Sequence, residues 1–433
     1  MKKILVVGGG IVGITSAYFA KNNENKVILA ELSDSLGGLL KSTCNEYGCF
    51  DYGTHIATKT GVKELDDFLF SDFNENNSYK FNIGRSGNFY KGKLSDISPF
   101  VNTNHLDISD YQQGCSELEL ANNKVGENLK ETLINRYGDT FYQCIFKDFI
   151  YKNFGCDAQY LANECLPFFD MPRILAFDKE LSRQKKLNKV LDEKIGFHGF
   201  TAGVDKFYPK KGGIGHWIKN LEAKLLNLNI DIKTKSSITQ IEANSAGFLV
   251  HINDEILQVD ELVWTLSSGL LNRFIDTGFS GIKPSFRKMA IYDFVFEKPL
   301  KTDSYYINVY DSHLLSNRIT CYQNLQSTSE FYACSVEVLN EDYFDFESKI
   351  KYIEQELIKI GITEEGSKYS QCRIVKEGFP SLTVDTSSYL KKINSFYEEN
   401  FSNITLLGRS SDKGFFMSEL LVSAYHEVKK EHR

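Results

Sequence analysis

Apolar residues from Lys3 to Val7 form an uninterrupted run rich in branched side chains, as in a strand buried on both faces. After a glycine-rich break, Ile14, Ala17, Tyr18 and Ala20 recur at helical spacing. Asn22 to Asn25 reads as a turn, and Lys26 to Ala30 as a second strand. Far downstream the pattern predicts a helix ending near Leu225 and a strand over 230–234. Gly247 to Ile252 and Glu255 to Val259 alternate as a hairpin about Asn253-Asp254. A strand is expected over 403–407, followed by a helix over 415–430. Between these pieces, 62–200 is mixed and rich in helix, with helical apolar spacing over 129–149 and 160–169. The stretch 280–395 carries strand-like runs at 290–296, 305–309, 319–322 and 331–338, and a helix over 346–360.

The break after the first strand reads Gly8-Gly9-Gly10-Ile11-Val12-Gly13, a GxGxxG turn. Gly8 permits the tight turn, Gly10 lets a pyrophosphate approach the backbone, and Gly13 allows helix and strand to pack closely. The amides of Ile11 and Val12 open the helix and suit phosphate oxygens. Glu31 ends the second strand 18 residues beyond Gly13, where an acid accepts hydrogen bonds from a ribose diol. Strand, glycines, helix, strand and acid in this order predict a dinucleotide-binding unit.

Leu32, Gly38 and Leu39 follow in Leu32-Ser33-Asp34-Ser35-Leu36-Gly37-Gly38-Leu39, and then comes Phe50-Asp51-Tyr52-Gly53-Thr54-His55. These segments resemble the FAD-containing amine oxidase and protoporphyrinogen oxidase superfamily, and most of all its UDP-galactopyranose mutase-like, sugar-pathway members. The second matching segment is Tyr208-Pro209-Lys210-Lys211-Gly212-Gly213, and the third is Gly408-Arg409 with the helix after it; Glu261 to Thr265 resembles the strand that re-enters the superfamily's FAD domain. The resemblance implies an α/β fold: a discontinuous Rossmann-type FAD-binding domain (1–61, 201–275 and 396–433) with an inserted α+β substrate domain (62–200 and 276–395) holding a mixed sheet and helices. It implies FAD as cofactor, bound by Gly8, Gly10, Ile11, Val12, Gly13, Glu31, Leu32, Gly38, Leu39, Tyr52, Gly53, Thr54, His55, Ile238, Gly408, Arg409, Phe416 and Met417. His55 is expected against the flavin ring, and Met417 is expected to touch it through its backbone.

Arg409, at the end of the last strand, can stabilise anionic flavin or an anionic substrate. Arg318, with Tyr305 and Tyr306 nearby in the pattern, suits recognition of a diphosphate. His55, Arg409 and Arg318 are therefore the candidate catalytic residues. Arg173, after Met171-Pro172, matches part of a mutase segment, whereas Tyr151-Lys152-Asn153-Phe154-Gly155 lacks the Gln and Trp that mutases show there. The resulting expectation is an FAD-dependent oxidoreductase acting on a small molecule, with a place in polysaccharide or sugar-nucleotide metabolism. A mutase-like enzyme using reduced flavin with no net redox is the alternative, and a non-catalytic flavin-binding protein a third. A nucleotide-sugar is one candidate substrate, and a homo-oligomer is left open.

Composition narrows the picture in three ways. With 433 residues the chain is long enough for two or three domains. A formal charge of −7 and no basic block argue against a nucleic-acid partner. No run of about 18 apolar residues predicts a transmembrane segment. The nine cysteines show no zinc-type spacing, so no metal is expected and reduced thiols in a cytoplasmic protein are the default; Cys44 and Cys49 form a conceivable redox pair. Aromatic residues at 13% fit either a large core or an aromatic-lined cleft.

Overall fold

Lys2–Val7 is the central strand of a five-stranded parallel sheet in a computed structural model of the chain. The structure describes residues 1–431 except 201, 276, 280, 281, 283, 284, 327–330 and 341–343, so the boundaries expected at 201 and 276, like the last two residues, lie outside the described residues. The sheet runs in the order Asp231–Lys233, Asn25–Ala30, Lys2–Val7, Glu261–Trp264, Ile404–Leu406, with every neighbour parallel. All five positions were expected as strands; the inner ones are buried on both faces, while the edge strand Asp231–Lys233 is only half-buried. Ile4, Val6, Val27 and Leu29 pack with Ile14 and Ala17 of helix Ile11–Ala20 and with Leu421 and Ala424 of helix Met417–Glu431. Leu5, Val7, Ile28 and Trp264 face the other way, onto Leu390, Ile393 and Tyr397 of helix Val384–Asn400.

That last helix, and the strand Tyr369–Ser381 before it, were not foreseen. The strand lies at the edge of a second sheet, of seven strands. Its order is Tyr369–Ser381, Ser285–Phe296, Tyr332–Asn340, Arg318–Cys321, Tyr306–Val309, Ser86–Tyr90, Lys93–Ser95. Only Tyr306–Val309 and Ser86–Tyr90 run parallel, so the sheet is mixed, as expected. Its two faces differ in chemistry. Ile307, Ile319, Val336 and Tyr292 sit in register across four strands and bury against Ile353 and Leu357 of helix Ile350–Ile360. Because side chains alternate along a strand, the neighbouring positions point the other way and are polar: Asn308, Arg318 and Glu337 in one row, Tyr306, Thr320, Ser335 and Asp293 in the next.

Helices Ile108–Leu120, Leu129–Tyr137 and Lys147–Phe154 build a third core around Tyr137, Phe141, Phe146 and Phe149. The helix expected over 160–169 is absent: three isolated 3₁₀ turns stand there. Pro167 and the left-handed backbone of Phe169 (φ 55°) and Asp170 (φ 60°) break the helical geometry. A second correction concerns thiols. Cys44 and Cys49 form a disulfide across the hairpin of Ser42–Asn45 and Gly48–Asp51, whose register sets them opposite each other. The other seven cysteines form no disulfide. No helix among the described residues is long and apolar enough to cross a membrane.

Candidate active site

The glycine turn is built as its sequence suggests. Gly8 adopts φ 102°, a region that side chains avoid, and a Cβ on Gly13 would stand 1.8 Å from the Gly8 carbonyl oxygen. A Cβ on Gly10, by contrast, would meet no protein atom within 4 Å. Gly10 caps the helix with no side-chain hydrogen bond, so the helix opens onto a cradle the protein does not fill. Gly37 donates its N–H to the Gly9 carbonyl at 2.8 Å, which holds Gly38 against Gly10. Glu31 spans the turn: it accepts from Gly9 N–H at 2.6 Å and from Ser33 N–H at 2.8 Å. Lys235 and Ser236 donate their N–H groups to the carbonyls of Ser33 and Glu31, which brings Ile238 to the same end of the sheet. Leu32, Leu39 and Phe416 are large apolar side chains left exposed around this surface. An open glycine, uncapped helix amides and a carboxylate at the strand end fit a dinucleotide.

The segment Tyr52-Gly53-Thr54-His55 leaves the disulfide hairpin and lies on the polar face of the seven-stranded sheet. Thr54 N–H donates to Glu337 Oε1 at 3.3 Å, and its hydroxyl bonds that of Thr320. Arg318 forms two bonds to Glu337, Nε to Oε1 at 2.9 Å and Nη2 to Oε2 at 2.8 Å. Arg373 repeats the motif one row away, pairing with the buried Asp293 and donating to the Asp51 carbonyl at 2.9 Å. Its guanidinium lies 4.7 Å from the Tyr52 ring centre. Two carboxylate–arginine pairs thus pin the loop to the sheet.

His55 is partly accessible yet ringed by protein. Burial, reinforced by the charges of Arg318 and Arg409 and opposed by Glu337, pushes its imidazole down to about 4, so it is neutral at physiological pH. Nε2 lies 3.3 Å from the Tyr52 carbonyl. A carbonyl only accepts, so Nε2 carries the proton and Nδ1 is the acceptor.

Gly408 (φ 92°) turns the chain at the end of Ile404–Leu406, and a Cβ there would press within 2.6 Å of the Thr265 carbonyl oxygen. Arg409 follows, exposed at the mouth of the cleft with its guanidinium 5.8 Å from the Phe415 ring centre. Among the described residues no carboxylate pairs with it, and surrounding protein together with Arg318 lowers its proton affinity. The N–H groups of Phe415 and Phe416, ahead of helix Met417–Glu431, are taken by the Glu419 carboxylate at 2.9 and 3.0 Å.

His55, Arg318 and Arg409, distant in sequence, therefore share one electrostatic neighbourhood. Arg173 does not join them: it is tied to the carbonyls of Asp192 and Ile195. Sequence reasoning missed Glu337, which joins Arg318 to Thr54, and Asp170, which accepts from Asn308 Nδ2 at 2.7 Å. The available signal was a charged residue inside an otherwise apolar alternating strand. Among the described residues no cluster of three or more His, Cys, Asp or Glu is placed to hold a metal ion.

Residues 6–69 match the NAD(P)-binding Rossmann-like domain model. The solved structure of a reduced UDP-galactopyranose mutase superposes with TM-score 0.79 at 16% identity, covering 100% of this chain and 96% of that one. A candidate protoporphyrinogen oxidase from Exiguobacterium sp. 255-15 gives TM-score 0.72 at 15% identity, over 99% and 98% of the two chains. The chain therefore shares its fold with both of these structures over nearly its whole length. Among curated proteins, coproporphyrinogen III oxidase of Staphylococcus aureus (strain NCTC 8325 / PS 47) is 24% identical over 302 residues. That match covers 63% of this chain and 62% of the relative, less than two thirds of its length.

Proposed function

We propose that this chain is an FAD-dependent oxidoreductase acting on an anionic small molecule. The observation that supports the reading is that His55 and Arg318 both stand against Gly53, with Arg409 in the same electrostatic neighbourhood, in a chain whose glycine turn leaves an unfilled cradle. Gly8 to Gly13 with Gly38 would hold the pyrophosphate, Glu31 and Leu32 the ribose, and Ile238 the adenine end. Tyr52, Gly53, Thr54, His55, Gly408, Arg409, Phe416 and Met417 would border the flavin. Bound FAD supplies the two-electron chemistry.

The chain's own groups set charge and orientation around it. Neutral His55 offers Nδ1 as a hydrogen-bond acceptor and adds no charge. Arg409, without a carboxylate partner among the described residues, offers a positive field for developing negative charge. Arg318 is held by Glu337 in a fixed fork, which leaves its outer N–H groups to orient a substrate oxyanion.

The relatives named above suggest two anion classes, a nucleotide diphosphate and a carboxylated tetrapyrrole. A sugar-nucleotide mutase with no net redox is the second reading, favoured by the resemblance of the Tyr52–His55 and Gly408-Arg409 segments to the mutases. The test is a visible difference spectrum of the purified protein. Yellow protein reduced by a substrate and reoxidised by an acceptor supports the first reading. UDP-galactopyranose turnover that needs prior dithionite reduction supports the second. Protein that stays colourless after reconstitution with FAD rejects both.

A further inference from the structure

Beside the His55 loop lies a cavity of about 270 Å³ that the reading above does not use. Its wall includes Asn82, Arg85, Ser86, Lys206, Tyr305 and Tyr306. No lining residue is acidic. Lys206 is half-buried; its Nζ reaches only the Val204 carbonyl, at 3.5 Å, and burial alone lowers its proton affinity. No carboxylate pairs with it among the described residues, because the neighbouring Asp205 is held by Lys59 and Lys80. Arg85 meets Asp303 only at the surface, at 3.4 Å with both side chains largely exposed, a contact that competes weakly with a ligand.

Two cations in one concave wall, one weakly paired at the surface and one with no carboxylate partner among the described residues, give that wall a positive field that suits an anion. The wall also carries a Ser hydroxyl, an Asn amide and two Tyr rings, the polar and aromatic mixture typical of small-molecule sites. Two lining residues place the cavity near the proposed reacting end. Ile56 directly follows His55, and Tyr306 lies on the polar face in the row beside Arg318, with its hydroxyl 3.5 Å from Asp170 Oδ2.

We infer that this cavity is a second anion subsite, in which Lys206 and Arg85 bind a phosphate or carboxylate group of the substrate remote from its reacting atoms. The placement rests on the reading of the cleft above; the measurement does not. Isothermal calorimetry on FAD-loaded protein, with UDP in one arm and coproporphyrin III in the other, separates diphosphate from carboxylate as the source. Binding in either arm is expected to weaken tenfold or more in Lys206→Met and in Arg85→Met. Lys206→Arg should keep most of it, which separates lost charge from lost folding. FAD content, read from the visible flavin absorbance, should not change in any variant. Absence of binding in both arms, or Kd values within a factor of three of wild type in both methionine variants, would overturn the inference. Failure of the chain to take up FAD would instead remove the oxidoreductase reading, and the same titrations on the apoprotein would still decide the subsite.

Discussion

Glu337 holds Arg318 and the backbone of Thr54 with one carboxylate: Oε1 accepts from both, and Oε2 from Arg318 alone. The strand that orients Arg318 therefore also fixes the height of the His55 loop. Removing the acid leaves a protein-ringed guanidinium unpaired. Glu337→Ala should cost about 3 kcal/mol in chemical denaturation, whereas Arg318→Met with Glu337→Met should cost less than Glu337→Ala alone. A double variant whose cost equals the sum of the two single-variant costs would mean that the pair is not coupled.

Gly10 and Gly13 differ in what surrounds them. Gly13→Ala places a methyl group on the Gly8 carbonyl and should lower the melting temperature of the chain even without cofactor. Gly10→Ala has room in the protein, so its apoprotein should melt within about 2 °C of wild type, because surface changes away from packed features stay within about 0.5 kcal/mol. FAD retention through gel filtration should nonetheless fall in Gly10→Ala. Full retention there would argue against the pyrophosphate running over that residue.

His55 makes stability depend on pH in a defined direction. Its folded imidazole titrates near 4 and its unfolded one near 6.5, so between those values the unfolded chain binds the extra proton. The contribution is fully present above pH 6.5 and is lost as pH falls toward 4. Asp51, pushed up to about 6 chiefly by burial, acts with the opposite sign over an overlapping window. The two are separated by difference: wild type minus His55→Gln should show stability rising with pH from 4 to 6.5, by up to about 3 kcal/mol. A flat difference would contradict a neutral, protein-ringed imidazole.

The Cys44–Cys49 bridge closes a short hairpin that leads directly into Asp51 and Tyr52. Loop-closure entropy for so small a ring gives about 2 kcal/mol. Reduction, or Cys44→Ser with Cys49→Ser, should lower stability by that amount. Because Phe50 still packs on Val295 and Tyr322, and Arg373 still holds the Asp51 carbonyl, FAD uptake should survive. Loss of uptake on reduction would assign the bridge a role in holding the loop.

Much of the nucleotide-binding sheet was readable because its strands are buried on both faces and announce themselves as apolar runs. Gly8 and Gly13 were readable because their geometry admits little else, whereas Gly10, around which the protein leaves room, was read from the motif alone. The edge strand Tyr369–Ser381 was not, because Gln371 and Arg373 on its inward face answer Asp293, a partner about 80 positions away in the chain that no local pattern reveals. Glu337 was hidden likewise: it reads as a stray charge in Tyr332–Asn340 until register sets it against Arg318. The false helix over 160–169 came from apolar spacing that in fact fills the aromatic core around Phe154, Phe168 and Phe379.

Lys3 donates its N–H to Asp260, 257 positions later, and Glu261–Trp264 pairs with the first strand only once it exists. At ribosomal speeds of 5–20 residues per second the nascent first strand waits roughly ten to fifty seconds for that neighbour, and longer for Ile404–Leu406. During this interval its apolar edge is a template for any passing strand. The glycine turn thus emerges long before the sheet around it is completed, and a chain truncated before residue 404 would keep the glycine signature while lacking both the closing strand and Arg409.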